Sequence, residues 1–214
     1  MHIGWLKYKY MKKILKESAR WTVTITVITF LLAAIFTVVS TVALNGVGWI
    51  SGLAIVLSIV LIGIFFDMIG IAATAADEIP FHAMASNRVH GAKHSIRIIR
   101  NADRFASFCN DVIGDISGIV SGTATAIVIV QLSISFDWNE ASVAESVGSI
   151  ILTSLIAALT VGGKAMGKTL AIRYSKDIIF AVGKLLYILE EHFQIVIIKE
   201  NKGKRLKRKR NESE

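Results

Sequence analysis

The chain has 214 residues, of which 53% are hydrophobic, and its mean hydropathy is +0.58. Soluble domains of this length seldom carry so much apolar sequence, so the composition argues against an ordinary water-soluble fold. The formal net charge of +8 is then interpreted as a topology signal of a membrane protein, and no specific nucleic acid is expected as a partner. A single cysteine, Cys109, excludes an internal disulfide, and its apolar context indicates a packing role.

The first half of the chain predicts a basic N-terminal segment followed by two membrane spans. Residues 1–20 are basic. No charged side chain occurs from Trp21 to Phe66, a run about twice the ~20 apolar residues that one crossing of the bilayer needs. The turn-type sequence Asn-Gly-Val-Gly at 45–48 divides this run. It predicts a first transmembrane helix within 21–46, from Trp21 to Leu44, and a second helix over 47–73.

The remaining segments alternate between polar and apolar character. Residues 76–105 are rich in charge and predict a belt of two short amphipathic helices at the membrane surface, separated at Gly91. Two further spans are predicted over 106–132 and 147–166, joined by an acidic loop. An amphipathic helix over 175–199 and a polybasic tail over 200–214 complete the chain.

The distribution of lysine and arginine predicts how these elements face the two sides of the membrane. The N-terminal segment, the belt and the tail are basic, whereas the two other connections contain neither lysine nor arginine. The positive-inside rule places both termini and the belt in the cytoplasm, an arrangement that requires four spans. We therefore predict an all-α, polytopic protein with four transmembrane helices and a cytoplasmic juxtamembrane belt. With no cleaved signal evident, a bacterial plasma membrane is the expected location.

Polar oxygen donors gather near the start of the third span. Asp111 and Asp115 lie one helical turn apart, and Asn110 and Ser117 flank them. Carboxylates inside a membrane are costly unless they are paired or hydrated, which makes them candidates for function. Oxygen ligands suit a hard cation such as Mg²⁺. The alternative is that both carboxylates are hydrated near the cytoplasmic side or are paired with Arg104.

The same span carries a stripe of small residues at Gly114, Gly118 and Gly122. Such stripes allow two helix backbones to approach closely inside a bilayer. The stripe predicts a helix-packing face and favours a homodimer.

Two more ionisable residues are predicted to lie inside the membrane. Asp67 ends the charge-free run and is interpreted as a cation ligand or as the partner of a buried base, with a capped or water-facing carboxylate as the alternative. Lys164 could pair with Asp67, Asp111 or Asp115, and its ammonium could then stand where a metal would otherwise bind. The alternative is that Lys164 extends to the interface, as Lys168 can.

Outside the spans, two further patterns have functional and structural interpretations. His90 and His94 have the i,i+4 spacing of a metal-binding pair, but an ordinary surface pair is favoured. The tail could bind anionic lipid, could touch RNA, or could act in topology alone. Its candidate lipid-binding residues are Lys204, Arg205, Lys207, Arg208, Lys209 and Arg210. No nucleophile elbow, phosphate-binding loop or HExxH motif occurs, and we do not expect an enzyme.

Three stretches, in this order, resemble the transmembrane domain of the CNNM/CorC/CorB family of magnesium transport proteins. They begin with Phe-Phe-Asp-Met-Ile-Gly-Ile-Ala at 65–72 and Asn-Ala-Asp-Arg-Phe at 101–105. The third, Gly-Lys-Ala-Met-Gly-Lys-Thr-Leu-Ala-Ile-Arg-Tyr at 163–174, is the most specific. The similarity extends over roughly residues 50–190, with the core of the domain at 47–174.

The resemblance implies a magnesium-transporting domain in which oxygen ligands from three helices hold Mg²⁺. On this chain the ligands would be Asp67, Asn110, Asp111, Asp115 and Ser117. The chain departs from the family pattern at Gly70 and Lys164, which stand in place of glutamates, and it ends without the family's cytoplasmic CBS domains. Replacing a glutamate by lysine changes the local charge by two units and opposes a divalent cation.

Two functions are therefore predicted as alternatives. The first is a CorB/CorC-like transport or transport-related protein for a divalent cation, with Mg²⁺ as its ion and Lys164 as a residue that tunes the site. The second is a non-transporting membrane scaffold or regulator on the same fold, in which Lys164 replaces the ion.

Overall fold

The described chain is almost entirely helical. The computed structural model describes residues 2–137 and 143–193. Within these residues there are eight α-helices and one π-helical turn, and no strand. In chain order they are α1 His2–Leu44, α2 Trp49–Ala75, α3 Ile79–Ser86, α4 Ala92–Arg100, α5 Ala102–Ser107, the π-helical turn Phe108–Gly114, α6 Asp115–Ser135, α7 Val143–Arg173 and α8 Ser175–Phe193.

Four segments are long and apolar enough to cross a membrane, which confirms the predicted all-α, polytopic fold. They are Trp21–Leu44, Trp49–Ala75, Ala102–Ser135 and Glu145–Arg173. The first matches its prediction. The last two are longer than predicted. The prediction ended where hydropathy falls, but the helical hydrogen bonding continues into the polar residues at their ends. The last segment consequently includes Lys168 as well as Lys164, which the predicted span already contained.

The predicted belt is also helical and its break lies at the predicted glycine, but it contains α3, α4 and most of α5 where two helices were predicted. Gly91 precedes α4 and has a φ of 88°, a left-handed conformation that side chains disfavour. A Cβ at this position would lie 2.7 Å from the Cα of Lys184 in α8, so the glycine also permits close packing. The predicted helix over 175–199 begins at Ser175 as α8. Its residues 194–199, the tail and the loop residues 138–142 lie outside the described residues.

The described residues form two compact units, and the division passes within α2 and α7. The first unit contains residues 2–67, 108–137 and 143–167. Its centre is α6, whose buried residues include Ile116, Val120, Ala124 and Val128. Val56 and Val60 of α2 pack there against Ala124 and Val128 of α6.

The second unit contains residues 68–107 and 168–193. Its core joins the belt to α8 through Phe81, Ile98 and Ile179, which are fully buried. Ala72 and Ala171, from the ends of α2 and α7, belong to the same core. Burial of these side chains, at about 25 cal/mol per Å² of apolar surface, is the main term that holds the short belt helices in place.

Candidate functional site

Three charged side chains from three spanning helices meet in the first unit. The Nζ atom of Lys164 on α7 lies 3.9 Å from Oδ1 of Asp67 on α2 and 4.0 Å from Oδ1 of Asp115 on α6. The Asp67 side chain is 16% exposed and that of Lys164 is 28% exposed, whereas that of Asp115 is 68% exposed. One ammonium therefore stands between two carboxylates, one of them largely enclosed and the other open.

Glycines at helix crossings bring these three groups together. A Cβ on Gly63 would lie 2.8 Å from Cβ of Ser117, so α2 and α6 approach each other one turn before Asp67. A Cβ on Gly163 would overlap the Ile64 side chain, which shows that α7 passes close to α2 immediately beside Lys164. Close backbone approach through small residues is the usual way in which membrane helices pack.

The π-helical turn before α6 forms one border of this site. It ends at Gly114, where a Cβ would lie 3.6 Å from Oδ1 of Asp67 and 3.7 Å from Nζ of Lys164. The bare backbone thus borders the ion pair. A π-helix closes its hydrogen bonds from i to i+5, so residues four apart no longer align as they do on an α-helix. This explains why Asp111, although four residues before Asp115, makes no ion pair within 2–137 and 143–193.

The two neutral oxygen donors predicted as ligands differ in how they are satisfied. The Ser117 hydroxyl is buried and donates a hydrogen bond of 2.8 Å to the carbonyl of Ile113. Asn110 lies in the π-helical turn, and its Oδ1 is buried without a hydrogen-bond partner among the described residues. A buried amide oxygen without a partner costs about 1–3 kcal/mol, so Asn110 retains an unused acceptor.

The charge pattern of the site is better suited to an ammonium than to a dehydrated Mg²⁺ as it stands. In the described parts of the chain, no three histidine, cysteine, aspartate or glutamate side chains come together as a metal-binding group. Mg²⁺ requires close to six oxygens at about 2.0–2.1 Å, and a neighbouring ammonium repels it. Asp67 and Asp115 with Lys164 carry a formal charge of −1, which leaves a residual attraction for cations.

The three glycines of the predicted stripe differ in their surroundings. Gly114 borders the ion pair, but a Cβ on Gly118 or Gly122 would meet nothing within 4 Å among the described residues. These two glycines therefore present an open strip of helix surface in the described protomer.

The second unit contains a polar cluster that the sequence did not predict. Nε2 of His94 and Oε2 of Glu190 are 2.7 Å apart, and Arg97 donates a weaker hydrogen bond of 3.4 Å to the same oxygen. The ring centroids of His90 and His94 lie 4.9 Å and 5.8 Å from that of Tyr187. His94 is thus buried and not on the surface as predicted, whereas His90, which precedes α4, is exposed, and both rings contact Tyr187 of α8. Glu190 follows His94 by 96 residues, a separation over which helical periodicity gives no signal.

A second ion-pair group ties α3 to α4 in the belt. Nε of Arg100 donates a hydrogen bond of 2.6 Å to Oε1 of Glu78, and the His82 ring lies 2.8 Å from the same oxygen. Burial raises the pKa of the Glu78 carboxyl, but the hydrogen bonds and charges of Arg100 and His82 outweigh it and leave that pKa below its usual value. The ionised form of Glu78 is therefore the one that the fold stabilises.

The predicted lipid-binding residues of the tail, from Lys204 to Arg210, lie outside the described residues. Comparison of the chain with known protein families, with characterised proteins and with solved structures finds no match.

Proposed function

We propose that this multi-pass membrane protein is a CorB/CorC-like protein of divalent cation transport, with Mg²⁺ as its ion. The observation that carries the proposal is the position of the Lys164 ammonium within 4.0 Å of carboxylates from two other spanning helices. Ionisable groups inside a membrane are costly, and three of them on three helices mark a pathway or a binding site. The resemblance of the chain to the transmembrane domain of that family motivates the choice of ion.

In this proposal Lys164 is a tethered cation that a transported ion displaces. The open Asp115 carboxylate receives the incoming ion, and the enclosed Asp67 carboxylate holds it. Lys164 has a flexible four-carbon stem and can withdraw its ammonium toward the level of Lys168, which is exposed one turn further along α7. Withdrawal leaves two carboxylates to attract the ion, and alternating exposure of this site completes transport.

The second candidate function is a non-transporting scaffold or regulator in which Lys164 replaces the ion permanently. Its specific support is that the ammonium already neutralises one of the two carboxylates where the family pattern has a glutamate. On this alternative the ion pair holds α2, α6 and α7 together, and protein partners dock on the belt or the tail.

The proposal extends to the setting of the protein. It places the chain in a bacterial plasma membrane with both termini in the cytoplasm, because positive charge favours the cytoplasmic side. It also includes a homodimer that packs through Gly118 and Gly122, whose surface is open in the described protomer. A cysteine introduced at Glu140 should then react with an impermeant reagent outside the cell, and one at Lys204 should not.

The two functions are separated by Mg²⁺-dependent thermal unfolding of the purified full chain. If the chain transports Mg²⁺, the ion raises the unfolding temperature of the wild type. That rise is lost in Asp67→Asn and Asp115→Asn and kept in Asp111→Asn, a matched control outside the ion pair. A wild type that ignores Mg²⁺ removes the transport proposal.

The variant Lys164→Glu tests whether the ammonium stands in for the ion. It converts the local formal charge from −1 to −3, so a scaffold with a replaced ion should gain stabilisation by Mg²⁺ that the wild type lacks. Lys168→Glu makes the same charge change one turn away and should not gain it. Equal responses of the two variants would show that Lys164 does not occupy a cation position.

A further inference from the structure

Helix α8 carries a second apolar face that its own unit does not cover. One face packs on α4 through Ile179 and Gly183, which are buried. On the other side, residues at helical spacing form what we call the outer stripe, and the larger side chains are Leu185 at 56% exposed, Ile188 at 51% and Tyr174 at 48%. The members of the outer stripe are Tyr174, Ala181, Leu185 and Ile188. Spacings of seven, four and three residues place them on one face of a helix.

The packing against α4 prevents α8 from turning this stripe inward. A Cβ on Gly183 would overlap the Ser95 hydroxyl and would lie 2.8 Å from the carbonyl oxygen of Gly91, so the two helix backbones are in close contact. Ser95 also donates a hydrogen bond of 3.1 Å to the carbonyl of Ile179. Further along α8, Glu190 pairs with His94. The rotational position of α8 on α4 is therefore fixed at three places.

The connection to the last spanning helix determines where the outer stripe lies. The spanning segment ends at Arg173 and α8 begins at Ser175, so a single residue, Tyr174, separates them. The spanning segment has 29 residues, about 43 Å of helix at 1.5 Å per residue, which exceeds the ~30 Å hydrocarbon layer, so a helix that starts at this point begins in the headgroup layer. Tyrosine is typical of this layer, because its ring is apolar and its hydroxyl is polar.

The charges near the outer stripe indicate which kind of surface can bind there. The charged side chains exposed on α8 balance one another, because Lys176 and Lys184 are accompanied by Asp177 and Glu191. The chain beyond α8 carries seven lysine and arginine residues between positions 202 and 210. An anionic surface has the opposite charge.

We infer that the outer stripe of α8 is a docking surface for the headgroup layer of an anionic membrane, with the basic tail as a second attachment. An apolar stripe followed by a polybasic segment combines the two signals that stable attachment to a membrane surface requires. The inference does not depend on ion transport. It gives α8 a fixed plane at the membrane surface, to which the belt is joined through α4.

The test uses spin labels on the full chain, reconstituted in vesicles of phosphatidylcholine with or without phosphatidylglycerol. Single cysteines at Leu185 and Ile188 carry the label, and Lys184→Cys is the matched control on the polar side. Collision with oxygen and with an aqueous nickel chelate measures depth. In anionic vesicles, labels at 185 and 188 should lie about 5–10 Å into the headgroup and acyl boundary, whereas the label at 184 should remain in water.

The other outcomes overturn the inference in distinguishable ways. Labels at 185 and 188 that are as accessible to the chelate as the label at 184 exclude a membrane surface. Dipolar broadening between labels at 185 shows that a second copy covers the stripe. Equal depth in vesicles without phosphatidylglycerol refutes the requirement for anionic lipid. The native Cys109 is buried, and wild-type protein treated with the same label measures its background.

Discussion

Replacing Lys164 by methionine isolates the contribution of the intramembrane ion pair. Methionine keeps an unbranched chain of similar length and removes the ammonium. Because Oδ1 of Asp67 and Oδ1 of Asp115 both lie within 4.0 Å of one nitrogen, the two oxygens are less than about 8 Å apart. The variant leaves two carboxylates facing each other with no cation between them.

The expected magnitude follows from the exposure of each partner. Two unit charges 4 Å apart attract by ~4 kcal/mol at an effective dielectric constant of ~20 and by ~1 kcal/mol in bulk water. Asp67 is 16% exposed and lies nearer the first limit, whereas Asp115 is 68% exposed and lies nearer the second. Methionine also removes the cost of keeping an ammonium from water, so we expect a net loss of about 1–3 kcal/mol in the free energy of unfolding.

Thermal or denaturant unfolding in one detergent, with Mg²⁺ removed by a chelator, measures this loss. Lys168→Met is the matched control, because Lys168 is exposed on the same helix. The double variant with Asp67→Asn should recover part of the lost stability, since it also removes one of the two like charges. A Lys164→Met variant as stable as Lys168→Met would refute the assignment of Lys164 as the cation that holds these helices together.

Three further predictions concern glycine packing and pH. Gly63→Ala should lower the free energy of unfolding by about 1–3 kcal/mol, because its methyl group meets α6; in a monomeric preparation Gly122→Ala, with open space around it, should be neutral or stabilising in the same unfolding assay. Gly183→Ala should separate α4 from α8, which faster amide hydrogen exchange in α4 would report, and unchanged exchange would contradict it. The lowered pKa of Glu78 means that its contribution is present above the pKa of the unfolded chain and is lost as the pH falls through the folded value. Glu78→Gln should remove this part of the acid sensitivity, which is measured as the change of unfolding temperature with pH. If the variant is as sensitive to acid as the wild type, the pair of Glu78 with Arg100 does not contribute to stability.

The helices that could span a membrane were predictable because the cost of an unpaired peptide group in hydrocarbon leaves few alternatives to a helix. A charge-free run divided by Asn45 and Gly46 allows two crossings, and the structure has two helices there. The break at Gly91 was equally predictable, because glycine is the residue that accepts the left-handed conformation found at this position.

The partners inside the bundle were less predictable, because sequence spacing measures neighbours on one helix and not neighbours on different helices. The sequence left Asp67, Asp111 and Asp115 as possible partners of Lys164. The structure brings Asp67 and Asp115 to it and leaves Asp111 exposed. The deciding feature is the π-helical turn Phe108–Gly114, which changes the angular relation of residues four apart. Propensity alone does not predict where such a turn forms.

The same turn bears on the choice between transport and scaffolding. A permanent structural ion pair gains most when both carboxylates are enclosed and fully satisfied, since partly paired charges in low dielectric are costly. Here the ammonium stands about equally far from an enclosed carboxylate and an open one, at distances longer than those of short charge-assisted hydrogen bonds. The unused amide oxygen of Asn110 lies in the turn that precedes Asp115. An ammonium loosely held between an enclosed and an open carboxylate is a poor permanent clamp, and this supports the proposal that a cation displaces Lys164.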